Sequence, residues 1–298
     1  NFVGKGIDEE GIKSIVTAGP AHSLHLIGLG LKRKYELQWI ADFRDPWTSI
    51  GYHKKLRLTP WAAQRHKSLE KEVLVTADKI MVTSQTTRKE FEAITPKPIK
   101  VITNGFDGNL SPRKLDQEFT ISHLGSLLTG MNPLGLWQAI QELVAENTSF
   151  QEALKIKLAG VVSEEVQNSL QSFGLDAYVE SLGYMPHDKV IETMQSSQIL
   201  LLLEIDSEET KGIIPGKLFE YLNARRPILA IGPNEWEAGS MVEESKAGKF
   251  LPHSDVALLK NVLLDWFNQY QKGKLECPSE GIDKFHRKAL TESLAKFI

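Results

Sequence analysis

The chain has 298 residues, which is enough for two domains, and its 41% apolar and 24% charged residues are typical of a globular protein. Its longest apolar run, residues 199–203, is far shorter than the roughly 20 residues that a membrane-spanning helix needs. The single cysteine, Cys277, excludes an internal disulfide framework and a multi-cysteine metal site. It also favours a reducing, cytoplasmic compartment.

Charge is unevenly distributed along the chain. Of the 35 basic and 38 acidic side chains, residues 1–107 hold 17 and 12, whereas residues 108–298 hold 18 and 26. Basic residues concentrate in 52–71, together with Trp61 and a single acid, Glu70; they are Lys54, Lys55, Arg57, Arg65, Lys67 and Lys71. This stretch is either a solvated helix face whose lysine stems cover apolar surface, or a contact with an anionic membrane or an acidic acceptor. Nucleic-acid binding is not indicated, because the whole chain is acidic and has no long basic stripe interleaved with aromatic residues.

Short apolar strands alternate with helical spacing in the first third of the chain. We predict strands at 14–18, 37–41, 79–83 and 99–102, and helices at 22–33, 59–76 and 85–93. Thr59 and Pro60 are typical of an N-cap followed by the first helical position. The Asn-Gly of 104–107 predicts a turn, and the polar stretch 108–116 that follows predicts a domain boundary.

A second alternation of the same kind follows this boundary. We predict strands at 119–123, 155–159, 178–182, 198–203, 227–231 and 249–251, and helices at 134–145, 163–172, 187–196, 217–224, 255–271 and 282–297. Apolar strands that alternate with helices indicate an α/β fold with doubly wound parallel sheets covered on both faces. Ligands of such sheets bind beyond the carboxyl ends of the strands, so we expect function on the loops that follow them.

The strongest candidate site is a glycine-rich loop that runs directly into a helix, at 210–230. Gly212 and Gly216 permit close backbone approach, and Pro215 stiffens the entry. Free amides at a helix N-terminus suit a diphosphate, and Lys217 adds a cation. Glu220 follows at i,i+3 and can accept hydrogen bonds from two ribose hydroxyls. The alternative is a Lys217–Glu220 salt bridge on a solvated helix face.

Three other constellations follow predicted strands. The segment 119–132 contains Gly125 in a loop that is either a phosphate contact or a structural turn. In 39–47, Asp42, Arg44 and Asp45 crowd a strand end, either for acid–base work or as a structural ion pair. His22 follows the first strand and is a second catalytic candidate. The acidic patch at 204–209 has loose spacing and no nearby histidine, so no metal is predicted.

In their order, these segments resemble glycosyltransferases of the GT-B fold, particularly glycosyltransferase family 4 (group 1). The resemblance runs from VTAGPAHSLHLIG, ADFRDPW, VTSQTTRKEF and VITNGFD to HLGSLLTG, ESLGYMPHDKVIETMQSSQILLLL and PGKLFEYLNARRPILA. It implies two Rossmann-like domains that face a cleft. They would be an acceptor-side domain at 1–107, completed by a back-crossing helix at 281–298, and a donor-binding domain at 108–280.

The resemblance assigns roles in donor binding to individual residues of this sequence. Glu220 matches the second glutamate of the family's Glu-x7-Glu pattern, which holds the nucleotide ribose. The donor's phosphates would lie on the loop after Ile205, at Gly212, Ile213, Ile214, Pro215 and Gly216, and on Gly125 with Ser126. Tyr184 and Met185 match the segment that lines the nucleobase.

The chain also departs from the family pattern. Gly212 stands where the first glutamate is expected, which removes the usual sugar-hydroxyl contact. Ser126 stands where an arginine commonly follows the loop glycine, so Lys217 is the candidate to supply the missing charge. The acceptor-side histidine that lies near the transferred sugar aligns with Arg44, beside Asp45. We also expect about a hundred residues upstream of this sequence, which would leave the first domain incomplete.

The sequence therefore predicts a cytoplasmic enzyme that transfers a sugar from a nucleotide-diphospho-sugar to a hydroxyl of a glycan or lipid-linked acceptor. No cofactor or metal is expected, and the resemblance implies retention at the anomeric carbon. Asp45, Arg44 and His22 are the catalytic candidates. Two alternatives stay open: a non-catalytic relative that binds sugar nucleotides or glycans, and a sugar-nucleotide 2-epimerase of the same architecture.

Overall fold

The computed structural model describes residues 6–7, 9–108, 110 and 113–298. The chain divides into two compact units, residues 1–104 with 287–298 and residues 105–286. Each unit contains one sheet, and every strand pairing in the two sheets is parallel. The prediction of two parallel α/β sheets is therefore confirmed. The acceptor-side and donor-binding roles assigned to the two parts of the chain stay predictions.

The first unit is built on four strands in the order β1-β2-β3-β4. These strands are β1 Ser14–Ala18, β2 Gln38–Phe43, β3 Lys79–Val82 and β4 Ile99–Val101. The helices between them are Ser23–Lys34, Gly51–Lys55, Pro60–Thr76 and Gln85–Glu92. Thr59 caps the long helix by accepting a hydrogen bond from the Ala62 amide, with proline at the first helical position as predicted.

The end of the chain belongs to this first unit. Leu290, Leu294 and Phe297 pack against buried residues of the sheet, and Lys79 Nζ donates to the carbonyl of Ile298 at 2.9 Å. The prediction of one helix over 282–297 is wrong. At His286 the backbone is extended, which separates a 3₁₀ turn, Ile282–Phe285, from the helix Arg287–Ala295.

The second unit contains six strands in the order β10-β9-β8-β5-β6-β7. They are β5 Phe119–Leu124, β6 Leu154–Ala159, β7 Val179–Gly183, β8 Ile199–Leu203, β9 Ile228–Gly232 and β10 Gly248–Pro252. The helices are Leu134–Glu146, Thr148–Ala153, Glu164–Ser172, His187–Ser196, Lys217–Ala224, Glu237–Glu244 and Val256–Gln271, and 3₁₀ turns lie at Asp176–Tyr178 and Glu208–Thr210.

This strand order places a topological switch point between β5 and β8. From β5 the chain builds outward through β6 and β7, and from β8 it builds outward in the opposite direction. Strands β8 and β9 are apolar along their whole length, because helices cover both faces of the sheet. Diverging crossovers leave a crevice beyond the carboxyl ends of the two strands at the switch, and that is where such sheets bind ligands.

Candidate functional site

The crevice at the switch point is built from the residues that follow β5 and β8. Gly125 follows β5 with a φ of +125°, which favours glycine, and its amide donates to the Ala159 carbonyl at 2.9 Å. A Cβ on Gly125 would lie 2.7 Å from Lys217 Nζ. The ammonium of Lys217 therefore rests directly against Gly125, so two residues predicted from separate motifs meet here.

Lys217 carries a positive charge that is mostly shielded from solvent. Its recorded hydrogen-bond partner is the ring nitrogen Nε2 of His123, at 3.4 Å, and it forms no ion pair with the part of the chain that the structure describes. Burial lowers the pKa of Lys217 to about 8, an effect that the nearby Glu204 opposes. Burial also raises the pKa of Glu204, whose Oε1 accepts from the Ile205 amide at 2.9 Å.

Two hydrogen bonds fix the helix Lys217–Ala224 and the loop before it. The Tyr221 hydroxyl accepts from the Leu124 amide at 3.0 Å, which ties the helix to the end of β5. The Trp236 indole donates to the Ile213 carbonyl at 2.8 Å, which holds the glycine-rich loop. Gly216 caps the helix without a side-chain hydrogen bond. The first-turn amides of Leu218 and Phe219 donate to the carbonyls of Pro215 and Gly216 at 3.0 and 3.3 Å, so among the described residues it is the Lys217 amide that stays available to a ligand.

Glu220 points away from Lys217. Its Oε1 lies 2.9 Å from Nε2 of His187, and the two side chains are 37% and 66% exposed. The alternative of a Lys217–Glu220 salt bridge on a solvated helix face is therefore wrong. His187 begins the helix that follows the segment of Tyr184 and Met185, so the predicted ribose and nucleobase contacts lie close together in the fold.

Tyr184 and Met185 differ sharply in their environments. Tyr184 is 94% exposed, whereas Met185 packs against the apolar cluster below the sheet. A fully exposed aromatic ring at the carboxyl edge of a sheet offers a flat surface on which a planar base can stack. Ser126 also lies at this edge, where its carbonyl is 3.4 Å from His123 Nε2.

The catalytic candidates of the first unit also follow strands. Arg44 and Asp45 come directly after β2, and Arg44 donates through Nη2 to the side-chain oxygen of Asn104. Its Nη1 lies 4.0 Å from Oδ2 of Asp42. Burial raises the pKa of both Asp42 and Asp45, and the Arg44 guanidinium opposes that rise. These side chains therefore include a structural ion pair between Arg44 and Asp42 and a carboxylate, Asp45, whose raised pKa makes it more basic.

His22 is buried in an aromatic stack. Its ring centroid lies 5.4 Å from that of Trp47, and neither ring nitrogen has a hydrogen-bond partner among the described residues. The neighbouring His25 contacts the Thr17 hydroxyl through Nδ1 at 2.8 Å. Burial lowers the pKa of each of these histidines to about 4, so both rings are neutral near pH 7.

Sequence reasoning missed His123 and His187. A histidine inside the apolar strand FTISHL, two residues before a loop glycine, is a signal that could have been followed, since a buried imidazole needs a partner. His187 stands at the start of a helix among other polar residues, and no local pattern connects it to Glu220.

No protein-family model matches the chain, and no curated protein sequence matches it. Solved structures match it over almost its whole length. HepE of Anabaena in complex with UDP superposes with a TM-score of 0.72 at 15% identity, over 96% of this chain and 78% of HepE. Sucrose-phosphate synthase from Thermosynechococcus elongatus gives 0.68 at 14% identity, over 99% of this chain and 75% of the synthase.

A third match is WaaG, a glycosyltransferase involved in lipopolysaccharide biosynthesis. It superposes with a TM-score of 0.61 at 12% identity, over 94% of this chain and 84% of WaaG. The chain therefore has the GT-B fold of these glycosyltransferases, with two parallel-sheet α/β domains.

The buried histidines predict a loss of stability in mild acid. Because their folded-state pKa is about 4 and the unfolded value is 6.5, the unfolded chain takes up protons first as the pH falls. We expect the free energy of unfolding to drop by about 2 kcal/mol per histidine between about pH 7.5 and 5. Urea titrations across this range measure the slope.

The variant His22→Phe keeps the stack on Trp47 and removes one titrating ring, so its slope is expected to be shallower. Phe43→Leu is the control, because it disturbs the same stack and leaves both imidazoles in place. We expect it to be less stable at every pH with an unchanged slope. A wild-type slope in His22→Phe would contradict the assignment.

Proposed function

We propose that this protein is a GT-B glycosyltransferase, similar to family 4, that transfers a sugar from a nucleotide-diphospho-sugar to a hydroxyl acceptor. The observation that carries the proposal is the largely buried ammonium of Lys217 at the switch point, which lies against Gly125 and forms no ion pair with the described residues. A buried cation without a counterion is costly unless an anion joins it. The solved structures of HepE with UDP and with UDP-glucose support a nucleoside diphosphate as that anion.

In this proposal the donor lies along the edge of the second unit. The Lys217 ammonium and the backbone amide at the start of its helix receive the diphosphate, with Gly125 and Ser126 on the other side. Glu220 accepts hydrogen bonds from the ribose hydroxyls, and before the nucleotide binds its carboxylate contacts His187. Tyr184 and Met185 contact the base.

The proposed reaction breaks the bond between the anomeric carbon and a phosphate oxygen. The electron pair leaves with the diphosphate, whose growing negative charge is stabilised by the ammonium and the backbone amide of Lys217, and this charge balance supports a metal-independent reaction. The acceptor oxygen forms the new bond, and its proton passes to a base. Asp45 is the candidate base because burial raises its pKa, while Arg44 and His22 position the acceptor. The resemblance to family 4 supports retention at the anomeric carbon, which in this one-step displacement requires the acceptor to approach on the face from which the diphosphate leaves.

Binding of UDP and GDP tests the donor site. We expect Lys217→Ala to weaken the binding of the preferred nucleotide about 10- to 100-fold, because it removes a charge-assisted hydrogen bond. Glu220→Ala should cost about tenfold through the ribose. Isothermal titration calorimetry measures both, and Lys246→Ala is the control, because that lysine pairs with Glu280 away from the crevice.

The proposal fails if neither nucleotide binds, or if both site variants bind as the wild type does. Release of free sugar or a transferred product from UDP-glucose separates an enzyme from a non-catalytic binding protein. An isomerised donor sugar in the nuclear magnetic resonance spectrum would instead indicate the epimerase.

We also propose that the enzyme works on a glycan or lipid-linked acceptor at the cytoplasmic face of a membrane, which it contacts through residues 52–71. All six basic side chains of this segment are exposed. The acid among them, Glu70, is 5% exposed and accepts hydrogen bonds from the amides of Trp47 and Thr48. The exposed charges of the segment are therefore all basic.

Exposed apolar side chains accompany these charges. Trp61 is 78% exposed and Leu56 54% exposed, and Trp61 shares a helix face with Arg65 at i,i+4. Tryptophan beside lysine and arginine is the pattern of a surface that inserts between anionic headgroups. No helix in the described ranges is long and apolar enough to cross a bilayer.

Sedimentation with vesicles tests this contact. We expect binding to phosphatidylcholine vesicles that contain phosphatidylglycerol, little binding to phosphatidylcholine alone, and weakening by salt. Replacing Arg65 and Lys67 by glutamine should weaken binding about tenfold or more, at about 1 kcal/mol per charge. The same change at Lys272 and Lys274, exposed lysines of the second unit, is the control. Equal binding by both double variants would contradict the proposal.

A further inference from the structure

His123 is a buried polar residue in the strand at the switch point. It lies at the next-to-last position of β5 and has no exposed surface. A buried imidazole is destabilising unless its two ring nitrogens have partners. The partners of His123 therefore indicate why a histidine occupies a strand that is otherwise mostly apolar.

The ring nitrogens of His123 have different partners. Nδ1 lies 3.0 Å from the carbonyl of Leu201 on β8, and a carbonyl only accepts, so Nδ1 carries the hydrogen. Complete burial lowers the pKa of His123 to about 3, so the ring is neutral and Nε2 presents a lone pair. Nε2 lies 3.4 Å from both the Ser126 carbonyl and the Lys217 ammonium. Because the shorter contact to Leu201 places the ring hydrogen on Nδ1, Nε2 accepts a hydrogen bond from the Lys217 ammonium.

A neutral partner leaves the charge of Lys217 available. If a carboxylate held the ammonium, an incoming phosphate would have to displace an ion pair. His123 fixes the position of the ammonium without neutralising it. Glu204, the nearby acid, accepts a hydrogen bond from the Ile205 amide; its charge acts on Lys217 through space, without a direct hydrogen bond to the ammonium. Because the ammonium is already in position, less side-chain entropy is lost when the ligand binds.

We propose that His123 is a positioning residue for the donor's diphosphate: its neutral ring holds the Lys217 ammonium against Gly125, where a phosphate oxygen can reach it. This inference rests on the proposed function of the crevice. It adds that the ammonium is placed before the nucleotide binds, because Lys217 donates to His123 and His123 in turn donates to the Leu201 carbonyl.

Two amide substitutions separate positioning from packing. In His123→Asn the amide can still donate to Leu201 and is too short to reach Lys217, whereas in His123→Gln the longer side chain can present an oxygen near the position of Nε2. We expect His123→Asn to weaken UDP binding about tenfold and His123→Gln to weaken it less than about threefold. GDP is titrated in parallel, and the melting temperature of each variant reports its folding.

A double-mutant cycle with Lys217→Ala gives the decisive comparison. If His123 acts through Lys217, His123→Asn should change UDP affinity less than about twofold once Lys217 is alanine. An equal loss in both backgrounds, or no loss in the wild-type background, would overturn the proposal.

A measurement without nucleotide keeps the inference separate from the proposed function. The rate of Lys217 acetylation, followed by mass spectrometry against pH, reports the fraction of neutral amine. The midpoint should be lower in His123→Asn than in the wild type, because the buried ammonium loses its acceptor, and near the wild-type value in His123→Gln. Identical midpoints in all three proteins would overturn the positioning role, even if UDP binds. If neither UDP nor GDP binds but the acetylation midpoints shift as expected, only the function proposed for the crevice is overturned.

Discussion

One electrostatic arrangement underlies the donor site, a largely buried ammonium that forms no ion pair with the described residues at the topological switch of a parallel sheet. Removing a lysine side chain from water disfavours its charged form, and burial accordingly lowers the pKa of Lys217. The second unit keeps the cation there by fixing its helix to β5 through Tyr221 and its loop to Trp236. An anionic ligand is the group whose charge complements such a site.

Much of the fold could be predicted from local patterns. Apolar strands alternating with helical spacing give parallel sheets, and cap residues such as Thr59 give helix starts. Short helices such as Gly51–Lys55 and Thr148–Ala153 escaped prediction because they are too short for a helical period to be visible. The break in the last helix at His286 was not predicted, because no glycine or proline marks it. The chain before the break belongs to the second unit and the chain after it to the first.

The candidate site could be predicted where a recognisable motif follows a strand. Gly125 and Lys217 lie in separate motifs, and the rule that ligands bind beyond the carboxyl ends of parallel strands predicts that both lie at one edge. The contact between Lys217 and His123 was not predictable, since it joins a strand and a helix 94 residues apart. The pairing of Glu220 with His187 was also not predictable, because the i,i+3 spacing suggests a salt bridge between Glu220 and Lys217 instead.

A crystal structure of the protein with bound UDP would show whether the switch point is the donor site. We expect diphosphate oxygens within hydrogen-bond distance of Lys217 Nζ and of the backbone amide at the start of its helix, with the ribose on Glu220. A nucleotide bound elsewhere, or a helix start covered by the protein's own side chains while UDP occupies another surface, would contradict it.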